Sequence, residues 1–366
     1  METREYYSYK PDYVIHPGEY LEEVLEAREI KKNDLSKRIG VSVKHISQII
    51  NKQALLTSEL SLQLERTLGI SANIWNGLSS GYSLFEARQK EQKELQLNTE
   101  WVKKFPIKDL IRLGYLPKNS IKSLIENVLE FFGISNPEQW EQYYFNRAAS
   151  FRKSNSFRDN LHHIAAWLRS GEIEAAKTNV NSYKKDLFKN NLYRIRALTV
   201  KKPFEFESEM IKLCAEAGVV LTFVPEFEGT HISGAARWLT PEKALIIMSL
   251  RHKTNDHFWF TFFHEAAHIL LHSKKDVFID DPKGYESQEE SEANRFSRNI
   301  MIPEDDYNAF VSKGNYYPSS IKTFANEINI HPGIIVGTLQ FDKKISFSWH
   351  NKLKERFAFS KQIIEE

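Results

Sequence analysis

The sequence predicts an α+β chain of several domains: an all-α unit near the N-terminus, a helical middle region, and a C-terminal domain in which a small, mostly antiparallel sheet leads into helices. Three observations predict this. Residues 13–80 form short amphipathic segments punctuated at Gly40, Gly69 and Gly81. Residues 101–200 keep helical periodicity, as in SIKSLIENVLEFFGIS and DNLHHIAAWLRSGEIEAAK. From about residue 204 the pattern changes to short β-prone runs, GVVLTFVPE, GAARWL and KALIIMSL, separated by turn signals. The expected domains span 13–80, 81–200 and 204–340, with a tail over 341–366. The polar stretch 84–100 reads as a connecting helix or linker, and the basic stretch YKKDLFKNNLYRIRALTVKK as a solvated helix face.

Length and composition bound the function. The 366 residues are 41% hydrophobic with 24 Phe, enough to fill real cores, and a net charge of +2 leaves any nucleic-acid signal to local patches. The single cysteine, Cys214, excludes an internal disulfide framework and any metal site built on several thiolates. It suits a reducing compartment, so the expected location is the cytoplasm. METREYYSYKPDYVIHPGEYL lacks the apolar core of a signal peptide, and no uninterrupted apolar run of about 18 residues exists, so no membrane partner is expected.

Residues 33–52, NDLSKRIGVSVKHISQIINK, spell a helix-turn-helix. Asn33 is expected to cap a helix running to about Ile39, Gly40 to supply the tight turn, and Ser42 to cap a second helix from Val43 to about Asn51. Leu35, Ile39, Val41, Ile46 and Ile50 make the shared core. Lys31, Lys32, Lys37, Arg38, Lys44 and Lys52 stand against Asp34, while Glu19, Glu22, Glu23, Glu26 and Glu29 of the preceding helix are expected to face away. Such a basic face suits phosphate contact, with double-stranded operator DNA as the expected partner. Lys44 and Gln48 are candidates for base edges, and Lys32, Ser42, His45, Ser47 and Lys52 for the backbone. Operator symmetry further predicts a homodimer. An echo of the apolar spacing recurs in FANEINIHPGIIVGTLQ at 324–340, without its basic residues, and reads as a packing helix pair.

The stretch FWFTFFHEAAHILLH at 258–272 is strongly apolar yet carries three histidines and a glutamate. Burying such groups without partners costs several kcal/mol, about 2–7 per group. A metal resolves the conflict. On a helix His264 and His268 lie one turn apart and can bind one zinc ion, while Glu265 reaches a water beside it. This is the H-E-x-x-H arrangement. An extended form of the motif needs a glycine and a histidine where this chain has Leu271 and Lys274, so the third ligand must come from elsewhere. EESEANRF offers Glu289, Glu290 and Glu292. Glu290 is preferred because Asn294, at i+4, can hydrogen-bond a ligand histidine; Glu292 is a rival. His272 is expected to play a structural role at the helix end. In this reading zinc lowers the pKa of water toward about 7, and Glu265 takes the water's proton and gives it to the leaving amine. His231, Tyr285 and His331 are candidate donors to the oxyanion. Substrate is expected along an edge strand, with GAARWL at 234–239 the proposed edge.

Both halves resemble known families. Residues 13–80, through VIHPGEYLEEVLEAREIKKNDLSKRIGVSVKHISQIINKQ, resemble the antidote-type, HigA-like helix-turn-helix regulators of toxin–antitoxin modules, within the larger phage-repressor-like class. Residues 204–340 resemble the ImmA/IrrE family of zinc peptidases through GVVLTFVPE, ISGAARWL, DHFWFTFFHEAAHILLH, ESEANRFSRNIMIP and HPGIIVGTLQ. The order resembles fused regulator–peptidases of bacteria and phages, including AASFRKSNSF and WLRSGE in the middle. The resemblance implies a zincin-like fold of the gluzincin type. It implies zinc on His264, His268 and, through an ExxAN pattern, Glu290, with Glu265 catalytic, and it implies cleavage of repressor-like DNA-binding proteins. The chain departs at Lys32, where relatives often carry a phosphate-touching glutamine. It also carries its own regulator domain, which leaves itself, a neighbouring protein or a toxin as substrate. The rival reading is a DNA-binding antitoxin or repressor whose metal domain senses or scaffolds; that role needs the two histidines but not Glu265.

Overall fold

The computed structural model describes residues 14–120, 122–148, 160–274, 277–279 and 287–359. The chain divides into two units, one ending at Leu97 and the other starting at Asn98.

The first unit holds helices α1 (Pro17–Ala27), α2 (Lys32–Ile39), α3 (Val43–Ile50), α4 (Ser58–Leu68) and α5 (Ala72–Gln96). Leu21, Leu25, Leu35, Ile39, Ile46, Ile49, Leu60, Leu64 and Trp75 close its core. Gly40 ends α2 in the left-handed conformation, φ 69°, which only glycine adopts cheaply, and so sets the turn before α3. The Ser42 side chain accepts from the His45 amide at 3.2 Å, capping α3 as the sequence predicts. Three expectations need correction. Lys31, not Asn33, is the first cap: its extended backbone starts α2 early and leaves Asn33 inside the helix. Gly81 does not end a segment, because α5 runs through it into a stretch rich in strong helix formers, which carry the roughly 1 kcal/mol cost of one interior glycine. The acidic face of α1 does not wholly face away, since Glu22 pairs with Lys32 at 3.3 Å and Glu19 pairs with Lys52.

The second unit begins with α6 (Thr99–Val102), α7 (Ile107–Arg112), α8 (Leu124–Phe132), α9 (Pro137–Ala148) and α10 (Leu161–Ala176). Aromatic rings join these helices: His162 stacks on Trp140 with centroids 4.5 Å apart, and both lie edge-on to Phe105. Then come α11 (Lys185–Ala197), a short 3-10 turn, α12 (Pro203–Glu216), and strands β1 (Val219–Phe223), β2 (Gly234–Thr240) and β3 (Lys243–Met248). Helix α13 (Asn255–Leu271) follows, then β4 (Val277–Ile279), α14 (Gln288–Met301), α15 (Glu304–Ser312), α16 (Pro318–Glu327) and α17 (Pro332–Phe341).

The four strands lie in the order β1-β3-β2-β4. β1 runs parallel to β3, and β2 runs antiparallel to both β3 and β4. Side chains alternate across the sheet. One face, with Val219, Leu221, Ala236, Ala244, Ile246 and Met248, joins the core formed with Trp259, Phe262, Phe263 and Ala266 of α13. The other face meets α10, where Arg237 pairs with Glu172 and Gly171 abuts Ile247. The strand GAARWL is therefore not an edge: β2 is paired on both sides, and among the described residues β1 and β4 are the outer strands.

The basic stretch of α11 has the expected solvated face, with Lys185, Lys189 and Arg194 exposed, and its other face buries Phe188, Leu192 and Ile195 in the core shared with α13. The segment after 340 is more than a tail. Lys354 forms an ion pair with buried Asp256 in the first turn of α13 at 2.6 Å, Asn255 and Lys253 exchange backbone hydrogen bonds with Glu355 and Phe357, and Phe357 is buried. A buried carboxylate needs a cation, and this strap supplies it. Among the described residues no helix is long and apolar enough to cross a membrane.

Candidate metal centre

Helix α13 is buried on nearly all sides, which is why its polar residues must find partners inside the protein. Helical spacing stacks His264 and His268, and their Nε2 atoms lie 3.0 Å apart. Helix α14 brings the third group. Ser287 caps it by accepting from the Glu290 amide at 3.2 Å, which fixes Glu290 in the first turn. Glu290 Oε2 lies 3.1 Å from His264 Nε2, and Oε1 lies 3.5 Å from His268 Nε2. One ligand atom from each of the three falls within 4.8 Å of the others. Tetrahedral zinc with nitrogen ligands at about 2.0–2.1 Å separates them by roughly 3.3 Å, so this donor set fits such an ion.

The surroundings favour the ligand form of each ring. Burial, then neighbouring His264 and His272, pull the His268 pKa down to about 2, so the ring is neutral. His264 Nδ1 donates to Asn294 Oδ1 at 3.0 Å, as the sequence predicts. His268 Nδ1 lies 2.9 Å from His272 Nδ1, and His272 Nε2 lies 3.3 Å from Glu292 Oε2. Glu292 therefore sits with His272 rather than in the three-residue cluster. Phe278 of β4 stacks over His268 at 4.2 Å and 11°. Glu265 is fully buried, and its Cγ and Oε1 press against the bare backbone of Gly234, where a Cβ would come within 2.8 Å.

The candidate oxyanion donors fare differently. His231 is exposed, pairs with Glu226 at 3.5 Å, and lies three residues before Gly234. His331 caps α17: its Nδ1 accepts from the Gly333 amide at 3.0 Å and lies 2.6 Å from Asn255 Nδ2. Asn255 precedes His264 by nine residues, about 14 Å of helical rise, so His331 is held by the start of α13 and away from the metal cluster. Tyr285 lies outside the described residues.

In the helix-turn-helix, Ser42 and Lys44 are exposed, and His45, Ser47 and Gln48 are half-buried along α3. Lys32 and Lys52 stand at its flanks in their ion pairs with α1. Sequence reasoning missed Gly234, Phe278 and the His272–Glu292 contact. Only the last left a signal, the i+4 step from His268 to His272.

Comparison with known proteins follows the same division. Residues 214–339 match the family described as IrrE N-terminal-like domain, a peptidase family, and residues 21–75 match a helix-turn-helix family. The chain is 35% identical to Virulence-associated protein I of Dichelobacter nodosus over 79 residues, 21% of this chain and 73% of that protein. It is 25% identical over 73 residues to the uncharacterized HTH-type transcriptional regulator YddM of Escherichia coli, 20% of this chain and 78% of that protein. Similar solved structures include an addiction module antidote protein of a HigA family from Coxiella burnetii, 27% identical, covering 23% of this chain and 94% of that one with a TM-score of 0.21. Another is a Pseudomonas aeruginosa protein in complex with its operator DNA, 29% identical, covering 24% and 94%, with a TM-score of 0.23.

Proposed function

Because this chain belongs to the helix-turn-helix regulators that carry an IrrE N-terminal-like peptidase-family domain, we propose that it is a DNA-binding regulator whose second unit is a zinc-dependent endopeptidase. The observation that carries the reading is the convergence of His264, His268 and Glu290 beside fully buried Glu265. Bound by those three side chains, zinc would supply a Lewis acid that polarises the scissile carbonyl and acidifies water.

The remaining work falls to the chain. Asn294 holds the His264 ring, and α13, packed against the sheet, holds Glu265 in place. The Glu265 carboxylate accepts the proton of the attacking water, then delivers it to the leaving amine nitrogen as the C–N bond breaks. The outer strand β4, next to His268 through Phe278, is the edge along which an extended peptide would add. His231, on the loop entering β2, remains the described candidate for the oxyanion. The substrate class is a protein, either a repressor-like DNA-binding protein or a partner toxin. The first unit binds operator DNA as a homodimer in the cytoplasm, with Lys44 and Gln48 toward base edges and Ser42, His45 and Ser47 along the backbone. Lys32 and Lys52 reach phosphate by exchanging Glu22 and Glu19 for it.

The test is incubation of wild type and Glu265→Gln, each with zinc quantified, with the DNA-binding proteins and toxins encoded beside the gene. Products are read by intact mass. The proposal expects fragments with wild type only. Zinc in both proteins with fragments in neither leaves a regulator without proteolysis.

A further inference from the structure

Resting on the reading of His268 as a metal ligand, we propose that His272 and Glu292 form a hydrogen-bonded relay that orients the His268 ring and so sets the metal affinity of the site. His268 points Nε2 at His264 and Glu290, which leaves Nδ1 for His272 at 2.9 Å. A neutral ring that offers Nε2 to a metal carries its proton on Nδ1. That proton then donates to His272 Nδ1. His272 must in turn carry its own proton on Nε2, where it donates to Glu292 Oε2 at 3.3 Å. Reversing the chain would put a proton on His268 Nε2, facing the metal position. An anionic acceptor at the far end therefore selects the tautomer that binds.

The geometry holds each link. His272 is the residue just past α13, with only 5% of its side-chain surface exposed. Phe278 covers the pair, stacked on His268 and 5.3 Å from the His272 ring. Gln288 Nε2 donates to Glu292 Oε1 at 2.8 Å, which steadies the carboxylate. The two ligand rings thus differ: His264 donates to the neutral amide of Asn294, while His268 is tied to a carboxylate through a second imidazole. An anionic acceptor makes a ligand ring more basic and its bond to metal stronger. His272 and Glu292 are positioning residues, acting through His268.

The experiment measures Zn²⁺ affinity of the full-length protein by competition with a chromophoric chelator, together with the Co²⁺ absorption spectrum and melting without metal. His272→Ala should weaken binding on the order of 10–100-fold and shift the Co²⁺ spectrum. Glu292→Gln, an exposed substitution, should weaken it less and melt like wild type. The double variant should match His272→Ala, because Glu292 acts through His272. His272→Gln, able to accept from His268 and donate to Glu292, should recover part of the loss. Wild-type affinity in both His272→Ala and Glu292→Gln overturns the relay, as does additivity in the double variant. His268→Ala is the separate control: if it keeps the metal, the ligand assignment itself is wrong and the relay falls with it.

Discussion

Gly234→Ala adds one methyl group at the start of β2, on the face that meets α13. An ideal Cβ there lies 2.6 Å from Thr261 Cγ2 and 2.8 Å from Cγ and Oε1 of Glu265, where ordinary contact begins at 3.4 Å. Both neighbours are buried on the same helix, one turn apart, so neither swings into solvent. Relief requires a shift of roughly 0.6 Å in Glu265 together with about 0.8 Å in Thr261, or about 0.8 Å in the strand. Overpacking of this kind costs about 1–3 kcal/mol, which for a unit of this size lowers the melting temperature by roughly 2–4 °C per kcal/mol. The rate should suffer more than the stability, because misplacing a reacting group by about 1 Å costs on the order of 100-fold. Cleavage should therefore fall on the order of 10–100-fold, with zinc content unchanged, since the atoms nearest the added methyl belong to Thr261 and Glu265 and not to the three metal-site side chains. Single-turnover cleavage, zinc content and thermal unfolding on one preparation give all three numbers. Wild-type cleavage with a wild-type melting temperature would show that Gly234 does not confine Glu265.

Three other predictions follow from the same structure. Lys354→Ala strands the buried Asp256 carboxylate and should cost about 3–5 kcal/mol, read as a lower urea midpoint; an unchanged midpoint means the strap carries no stability. Burial holds the His162 pKa down to about 4 against an ordinary 6.5, so its neutral ring contributes fully above pH 6.5 and that contribution is lost as pH falls toward 4. Stability measured across that window should drop in wild type and less in His162→Phe; equal slopes would contradict this. Lys44→Ala should weaken operator binding by about 1–3 kcal/mol in fluorescence anisotropy if the residue reaches a base edge, and unaltered binding removes it from the interface.

The chemistry of the centre was legible because it is local. His264, Glu265 and His268 share one helix, and Glu290 and Asn294 share another one turn apart, so spacing predicts which groups stand together on each helix, while the meeting of the two helices comes from the fold. The turn and core of the helix-turn-helix were legible for the same reason: they lie within about twenty residues, and Gly40 and Ser42 take the places their chemistry demands, whereas Asn33 does not cap α2. What spacing does not carry is the partner that arrives from far along the chain. Nothing near GAARWL announces that β4 pairs with its outer side, and nothing near Asp256 announces Lys354, almost a hundred residues on. Glu19 and Glu22 were misplaced for a related reason. Helical periodicity fixes which face an acid lies on, but not whether a lysine of another helix turns to meet it.

Three side chains from α13 and α14 are proposed to hold one metal ion. The most direct measurement is zinc per chain, by mass spectrometry of exhaustively desalted protein, for wild type, Glu265→Gln and His264→Ala. Near-stoichiometric zinc is expected in the first two and almost none in the third. Equal zinc in all three, or none in any after growth with zinc, would mean that these side chains do not hold the ion.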